Sequence, residues 1–580
     1  LEDKNQKLAI LSESGPALIL AGPGSGKTTV LTHHIKHLTD NGVPPDKILV
    51  ITFTRKAALE MKNRFESLSP TAVHQAVFGT FHSIFFKIIK SFDKKEKRLV
   101  STEERDNFLL TYTKDAASLE YFSNHISFYK SLYDKSEYRF ADEAEKEGFM
   151  SVYDAYNDWL KSEGLMDYDD IIEECYRLLK TNKKALSYLN SKFTHILVDE
   201  FQDINSIQYE TLKLIAGKRG IIYAVGDEDQ SIYGFRGATP DIMKRFLKDY
   251  KNVTVINLNT NYRSFSDISD FSQKVIMDNI GRLRTDMPAC VKNDSKSHVH
   301  LKIFKEQNEQ HGELMRDFMA VPAGKTIACL LRTNKEVDAF KKLLTGSFSN
   351  EDSFKAAVYD DFLLFIEYVL RRENELLKKV IAVAIPDIPT VLIRNCESLS
   401  GIKSKLKGTQ KADAINVFET KLKVLMGLNP FSFSMYLKNI VGLYEHHVKK
   451  AGAFSKGTLE RIYAEIIDTS KKCCNLKTFK EELIKNRPNS ESGKAVSAAN
   501  IVITTFHQAK GLEFDYVFIP DVTEGRIPAG MAVSECRVEE ERRLFYVALT
   551  RAKEELFVYT IKNEESGGSL PSRFIEKFVY

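Results

Sequence analysis

Ala21-Gly22-Pro23-Gly24-Ser25-Gly26-Lys27-Thr28 follows an apolar run, Ala17-Leu18-Ile19-Leu20, and precedes Val30, Leu31 and Ile35 at helical spacing. Strand, glycine-rich loop, helix is the order that a phosphate-binding loop requires. The glycines let backbone N–H groups turn inward around an anion, and the helix start adds the positive end of its dipole. Lys27 is expected to reach the β- and γ-phosphates of a nucleotide, and Thr28 to hold Mg²⁺. Ala21 stands where the usual pattern has its first glycine, and a small residue can leave a strand there.

Outward from this loop, strands and helices alternate. Lys47 to Phe53 reads as a buried strand, and Arg55 to Phe65 as an amphipathic helix with Ala58, Met61 and Phe65 on one face. Phe78 to His82 leads into another helix. From about Ile84 to Leu189 the pattern is helical, rich in Lys, Glu, Tyr and Phe, with no clear strand. Strands resume at Thr194 to Glu200, Gly220 to Asp227 and Val253 to Leu258. Leu301 to Phe304 and Ile327 to Leu331 begin a second α/β unit, and Glu375 to Val496 is again helical and lysine-rich. Strands at Ile501 to Thr504 and Tyr516 to Ile519, a helix from Glu539 to Thr550 and a strand at Leu556 to Tyr559 close the fold. The expected class is α/β, with two parallel-sheet cores each interrupted by a helical insertion. The expected divisions are 1–85 and 189–260 for the first core, around an insertion at 86–188. They are 261–375 and 491–580 for the second core, around an insertion at 376–490.

The chain has 580 residues, too many for one core. Its 43% hydrophobic and 28% charged content are those of an ordinary globular protein. A net charge of +4, from 83 Lys+Arg against 79 Asp+Glu, allows a nucleic-acid partner only where the positive charges cluster. The seven cysteines form no CxxC pair and no Cys/His cluster; Cys473 and Cys474 are adjacent, which is poor zinc-ligand spacing. A reducing, bacterial-type cytosol is the expected location. The longest apolar run, Val380 to Ile393, contains Asp387 and two prolines, so no membrane partner is expected.

Asp199-Glu200 closes the buried strand Ile196-Leu197-Val198. Downstream of a phosphate loop, Asp199 is expected to hold the Mg²⁺ that Thr28 also touches. Glu200 is expected to accept a proton from the attacking water.

The blocks that follow carry a resemblance. Asp199-Glu200-Phe201-Gln202-Asp203, Gly226-Asp227-Glu228-Asp229-Gln230-Ser231-Ile232-Tyr233 and Asn261-Tyr262-Arg263-Ser264 resemble the superfamily 1 DNA helicases of the UvrD/Rep/PcrA group. So do the stretches from Thr505 to Phe514 and from Glu541 to Ala552. The order is the family's, and the match runs nearly end to end. The resemblance implies two RecA-like P-loop NTPase cores, each with a mainly helical inserted domain, and an ATP site between them. It gives Gln6 the reading of adenine, Tyr262 the stacking on the base and Glu513 the ribose contact. Gly22, Pro23, Gly24, Ser25, Gly26, Lys27 and Thr28 would wrap the phosphates, Gln230 would sense the γ-phosphate, and Arg263 and Arg551 would act as arginine fingers. Thr29 stands near the nucleotide where relatives often have arginine.

The same resemblance implies a single-stranded DNA track with Phe53, His82, Tyr233 and Phe235 in the first core and His507 in the second. Aromatic faces stack on any base. Phe235 replaces the tryptophan usual in bacterial relatives, which predicts a weaker grip at that position. The implied activity is ATP hydrolysis coupled to 3′ to 5′ movement on single-stranded DNA and to duplex unwinding, in repair, replication or recombination. The implied partners are single strands and single/double-strand junctions; no protein partner is implied. The second insertion departs from the family. Where relatives have a Gly-Ile-Gly turn, this chain reads Ile385-Pro386-Asp387-Ile388-Pro389-Thr390, and Leu331 to Lys355 is shorter than in relatives. Weaker anchoring on duplex is expected, with protein displacement as the alternative to efficient unwinding.

Overall fold

The structure, a computed structural model, describes residues 3–12, 15–70, 75–93, 97–113, 115–234, 237–238, 241–322, 324–348, 351–385, 400–401, 403, 410–450, 456–487, 501–530, 534–563 and 568–579. Two compact units result. One comprises Leu1–Leu314, Gly324–Thr333 and Thr504–Tyr580; the other comprises Met315–Ala323 and Asn334–Ile503.

The first unit contains strands β1 (Ala17–Ala21), β2 (Ile48–Thr52), β3 (Val77–Thr80), β4 (Arg98–Leu99), β5 (Leu165–Met166), β6 (His195–Val198), β7 (Ile221–Gly226) and β8 (Thr254–Leu258). Six of them form a parallel sheet in the order β3-β2-β6-β7-β1-β8. Alternate side chains leave a strand on opposite faces. Leu18, Leu20, Leu49, Ile51, Ile196 and Val198 therefore join one apolar layer, with Phe85 and Ile88 of the helix Phe81–Phe92 and Ile207 and Leu212 of the helix Ser206–Ala216. Ala17, Ile19, Ile48, Val50, Leu197 and Val225 join the other, with Val30, Leu31 and Ile35 of the helix Lys27–Asp40 and Met61 and Phe65 of the helix Arg55–Leu68. Burial on both faces is why these strands read as unbroken apolar runs.

The inserted helices Thr102–Leu109, Ala116–Ser131 and Glu143–Ser162 share a small core of their own, including Leu109, Ile126, Phe149 and Tyr156. β4 and β5 pair beside them as a two-residue ladder, in a stretch where no strand was expected. The helix Tyr168–Thr181 and the first six residues of Lys183–Lys192 fall within the expected insertion, yet Ile171, Cys175, Leu179 and Ala185 pack in the layer of the first sheet. Their amphipathic pattern fixes which face is buried but not what covers it.

The block Asn261 to Ser264 lies in β9 (Thr260–Phe265), which pairs in parallel with β10 (Ala289–Lys292). A second sheet has the order β11-β15-β14-β12-β13, built from β11 (Val299–Phe304), β12 (Ile327–Leu331), β13 (Ile501–Thr505), β14 (Phe514–Ile519) and β15 (Ala552–Ile561). β11, β15, β14 and β12 run parallel. The molecule is thus α/β, with two parallel sheets flanked by helices. The first sheet offers the C-terminal ends of β1, β6 and β7 to the site, where open α/β sheets bind ligands. The second offers the residues just before β14 and β15.

The second unit is helical. Its core draws Val358, Phe362 and Ile366 of the helix Glu351–Arg371 together with Val380, Phe418, Phe433, Tyr463 and Phe479. The expected boundary at 375 separates that helix from its partners. Excising 376–490 is accordingly expected to leave its apolar face uncovered, and the product to elute as aggregate in size-exclusion chromatography; a monomer that melts as cooperatively as the parent would refute this. The stretch Pro386 to Thr390 lies outside the described residues. Among the described residues no helix is long and apolar enough to cross a membrane.

Candidate functional site

The phosphate loop leaves β1 with Gly24 at φ 70° and Gly26 at φ 83°, both in the left-handed region that favours glycine. Space demands it too: a Cβ on Gly24 would lie 2.4 Å from Asn261 Oδ1, and one on Gly26 2.8 Å from Gln6 Nε2. Gly26 precedes the helix Lys27–Asp40, so the helix dipole points into the loop. Lys27 Nζ donates to the Ala21 carbonyl at 3.1 Å. Gln6 is buried behind the loop, on the helix Lys4–Ile10, and its Nε2 donates to the Ser25 carbonyl at 2.9 Å. Asp3 caps that helix and also accepts from Thr260 Oγ1 at 2.6 Å and the Tyr262 hydroxyl at 3.2 Å. The Tyr262 N–H donates to the Gly24 carbonyl at 3.0 Å, while the residue stays 41% exposed. The β9 strand is therefore docked directly on the phosphate loop.

Asp199 and Glu200 follow β6. Asp199 is buried, and its Oδ1 has no hydrogen-bond partner among the described residues. Burial, and then the charge of Glu200, push its carboxyl up to about 7. A buried carboxylate oxygen without a donor is suited to ligate a divalent cation. Glu200 sits at φ 53°, ψ 45°, a left-handed conformation that is costly for a residue with a Cβ and that clusters at functional sites. Burial alone would raise its carboxyl; Lys27, Lys510, a 2.5 Å hydrogen bond from Gln202 Nε2 and Arg551 together hold it down to about 2.

A cleft of about 410 Å³ is lined by the phosphate loop, Thr28, Thr29, Glu200, Gln230, Tyr262, Arg263, Glu513 and Arg551. Gln6 and Asp199 stand behind this lining. Gln230 is held at both ends: Nε2 donates to Asp227 Oδ2 at 2.7 Å, and Oε1 accepts from Arg551 Nη2 at 3.1 Å. Glu513, for which a ribose contact was expected, here takes a hydrogen bond from Arg263 Nε at 2.9 Å. Arg551 is only 2% exposed and its acceptors are the Val547 and Leu512 carbonyls, Thr550 Oγ1 and Gln230 Oε1, all neutral. Burial and then the neighbouring Arg263 depress its pKa to about 9.

A second cleft, of about 490 Å³, holds Phe53, His82, Tyr168, Asp203 and Tyr233. Phe53 and Tyr233 stack at 4.9 Å, and Tyr233 faces His507 at 6.5 Å. Phe235 lies outside the described residues. Tyr168 was not expected here; it is 55% exposed and meets His82 edge-on at 6.0 Å. Its sequence signal, an aromatic at the first position of an acidic-capped helix, is faint. Lys510, also unassigned by sequence, joins the two clefts. Its Nζ bonds Asp203 and donates to the Gln230 carbonyl at 2.6 Å, 3.8 Å from Glu200 and 5.2 Å from the Tyr233 ring centre.

The sequence also matches known proteins. Residues 2–251 match the UvrD/REP helicase N-terminal domain, and residues 456–563 match the UvrD-like helicase C-terminal domain. The chain is 29% identical over 640 residues to the ATP-dependent DNA helicase Rep of Buchnera aphidicola, an alignment covering 98% of this chain and 97% of that protein. It is 28% identical over 635 residues to DNA helicase II of Haemophilus influenzae, covering 99% and 86% respectively. With the ATP-dependent DNA helicase PcrA of Staphylococcus aureus it shares 27% over 624 residues, covering 99% and 85%. The chain belongs to the UvrD/Rep/PcrA group of superfamily 1 DNA helicases.

Proposed function

We propose that the protein is an ATP-hydrolysing DNA helicase and translocase that tracks along single-stranded DNA in the 3′ to 5′ direction typical of its family and unwinds duplex. The observation that carries this is the pairing of two clefts. One combines a phosphate loop with Arg263 and Arg551 from the other core; the other is aromatic; and Lys510 touches both. Lys27 and the loop amides bind the phosphates, and Gln6 and Tyr262 take the base. Thr28 and Asp199 would hold Mg²⁺, which when bound neutralises phosphate charge. Glu200 orients and deprotonates the attacking water, and Arg263 and Arg551 meet the charge that builds on the transferred group. Arg551 reaches that charge only when the cores close, so hydrolysis and reopening alternate, and each cycle moves the strand past Phe53, Tyr233 and His507. Action at single/double-strand junctions, in a cytosol, completes the reading.

The test is ATP turnover with and without single-stranded DNA, double-stranded DNA and RNA, together with unwinding of duplexes tailed at the 3′ or the 5′ end. Stimulation by single-stranded DNA and preference for the 3′ tail are expected. Turnover indifferent to single strands would overturn the reading. Tyr168→Ala is expected to weaken single-strand binding by about 1–3 kcal/mol if a base stacks on the ring. The parent's affinity is expected to fall steeply between 50 and 200 mM salt as counterions are released. Unchanged affinity in a folded Tyr168→Ala protein would make Tyr168 a plain surface residue.

A further inference from the structure

Gly22 is not in the left-handed region, yet a Cβ there would lie 1.8 Å from Nη1 and 2.9 Å from Cζ of Arg284. What this glycine admits is a guanidinium. Arg284 lies between the helix Ser266–Ile276 and β10 and is 3% exposed. Its Nη2 is 3.6 Å from Asp227 Oδ1 and donates to Asp229 Oδ2 at 3.3 Å and to the Tyr546 hydroxyl at 3.2 Å. Its backbone N–H donates to Glu228 Oε1 at 2.7 Å. Arg282 grips both oxygens of Asp229, from Nε at 2.7 Å and Nη2 at 2.5 Å.

Apolar side chains of similar volume commonly match a buried ion-pair cluster in stability, so stability alone does not account for these charges. Direction does. Asp227 has one oxygen toward Arg284 and gives the other to Gln230 Nε2. The Gln230 amide is thereby set with its oxygen toward Arg551. Tyr546, the other partner of Arg284, lies on the helix Glu535–Leu549, which ends two residues before Arg551.

We infer that Arg284 is a positioning residue for ATP hydrolysis: through Asp227 it fixes the orientation of the Gln230 amide, and through Gly22 and Tyr546 it ties that setting to the phosphate loop and to the helix carrying Arg551. The inference rests on the reading of Gln230 as the γ-phosphate sensor, and the test separates the two.

DNA-stimulated ATPase is measured for Arg284→Gln, Gln230→Ala and the double variant, with a thermal melt of each. Arg284→Gln is expected to lower kcat about tenfold while KM for ATP stays within about threefold. In the Gln230→Ala background the same change is expected to cost less than about twofold, because its effect runs through an amide no longer there. A merely structural role would instead give full loss in both backgrounds and a lowered melt. Arg284→Lys keeps the buried charge but not the fork, and decides the matter if the glutamine variant does not fold: the same loss, absent from the Gln230→Ala background, is expected. Wild-type kcat in both Arg284 variants, or an additive loss in the cycle, would overturn the inference. A Gln230→Ala protein with wild-type turnover would refute the reading of Gln230 and the inference with it.

Discussion

Glu200→Gln is expected to lower DNA-stimulated turnover at least about a hundredfold while ATP and single-stranded DNA still bind. The substitution is close to isosteric. It keeps a side chain of the same length at the left-handed backbone position and keeps an acceptor for Gln202 Nε2. What it removes is the capacity to take a proton. In the free protein Glu200 is held ionised by Lys27, Lys510 and Arg551, which also makes it a weak base. Once Lys27 and Arg551 engage phosphate oxygens their pull on Glu200 is spent elsewhere, and its basicity rises toward that of an ordinary carboxylate. Base strength therefore appears when substrate is in place. Removing a negative charge from a cleft that also holds Arg263 and Arg551 favours the polyanionic nucleotide, so ATP affinity is expected to stay level or tighten. Equilibrium binding of a labelled nucleotide and steady-state turnover separate the two effects. Near-parent kcat with weakened ATP binding would remove Glu200 as the base and leave it a binding residue.

The parts of this site that were legible in the sequence are those whose residues are contiguous. The phosphate loop, Asp199-Glu200, the turn ending in Gln230 and Arg551 each sit at a strand end or helix end, Tyr262-Arg263 lies within β9, and in each a short run of residue types fixes both the local structure and the chemistry. Strands β1, β2, β6, β7 and β12 were legible because burial on two faces leaves an unbroken apolar run. Arg282, Arg284, Gln202, Lys510 and Tyr168 left no such mark. Arg284 stands in Gly281-Arg282-Leu283-Arg284, which on sequence alone reads as a basic surface loop; only packing against Gly22 and the Asp227–Asp229 turn makes it internal. Lys510 lies in the stretch from Thr505 to Phe514 that carries the resemblance, but its bridging position depends on Asp203 and Tyr233, each more than 270 residues away. The bounds of the insertions are hard to read for a related reason. Periodicity identifies the apolar face of Tyr168–Thr181 and of Glu351–Arg371, whereas the partner that covers the face is settled by the tertiary fold.

Arg551→Ala is expected to lower turnover on the order of a thousandfold, with ATP still bound, because a finger acts on charge that develops in the transition state. The free protein already stores the side chain for that use. Arg551 is buried, every acceptor around it is neutral, and Arg263 stands near enough to depress its pKa. A buried guanidinium whose hydrogen bonds all go to neutral acceptors, with Glu200 and Glu513 acting on it only through space, is costly, and a phosphate group entering the cleft supplies a charged acceptor. Gln230 would change partner in the same movement, since its oxygen is the acceptor that Arg551 leaves. Truncation to alanine also removes a large buried side chain, so a melt must accompany the kinetics. Arg551→Lys supplies the control: it keeps a positive charge but cannot bond the Val547 and Leu512 carbonyls and Gln230 at once, so most of the loss is expected to persist. The decisive comparison is between kcat and nucleotide affinity in proteins that melt like the parent. If affinity collapses while turnover at saturating ATP is unchanged, Arg551 binds the ground state, and closure of the cores must be driven by Arg263 instead.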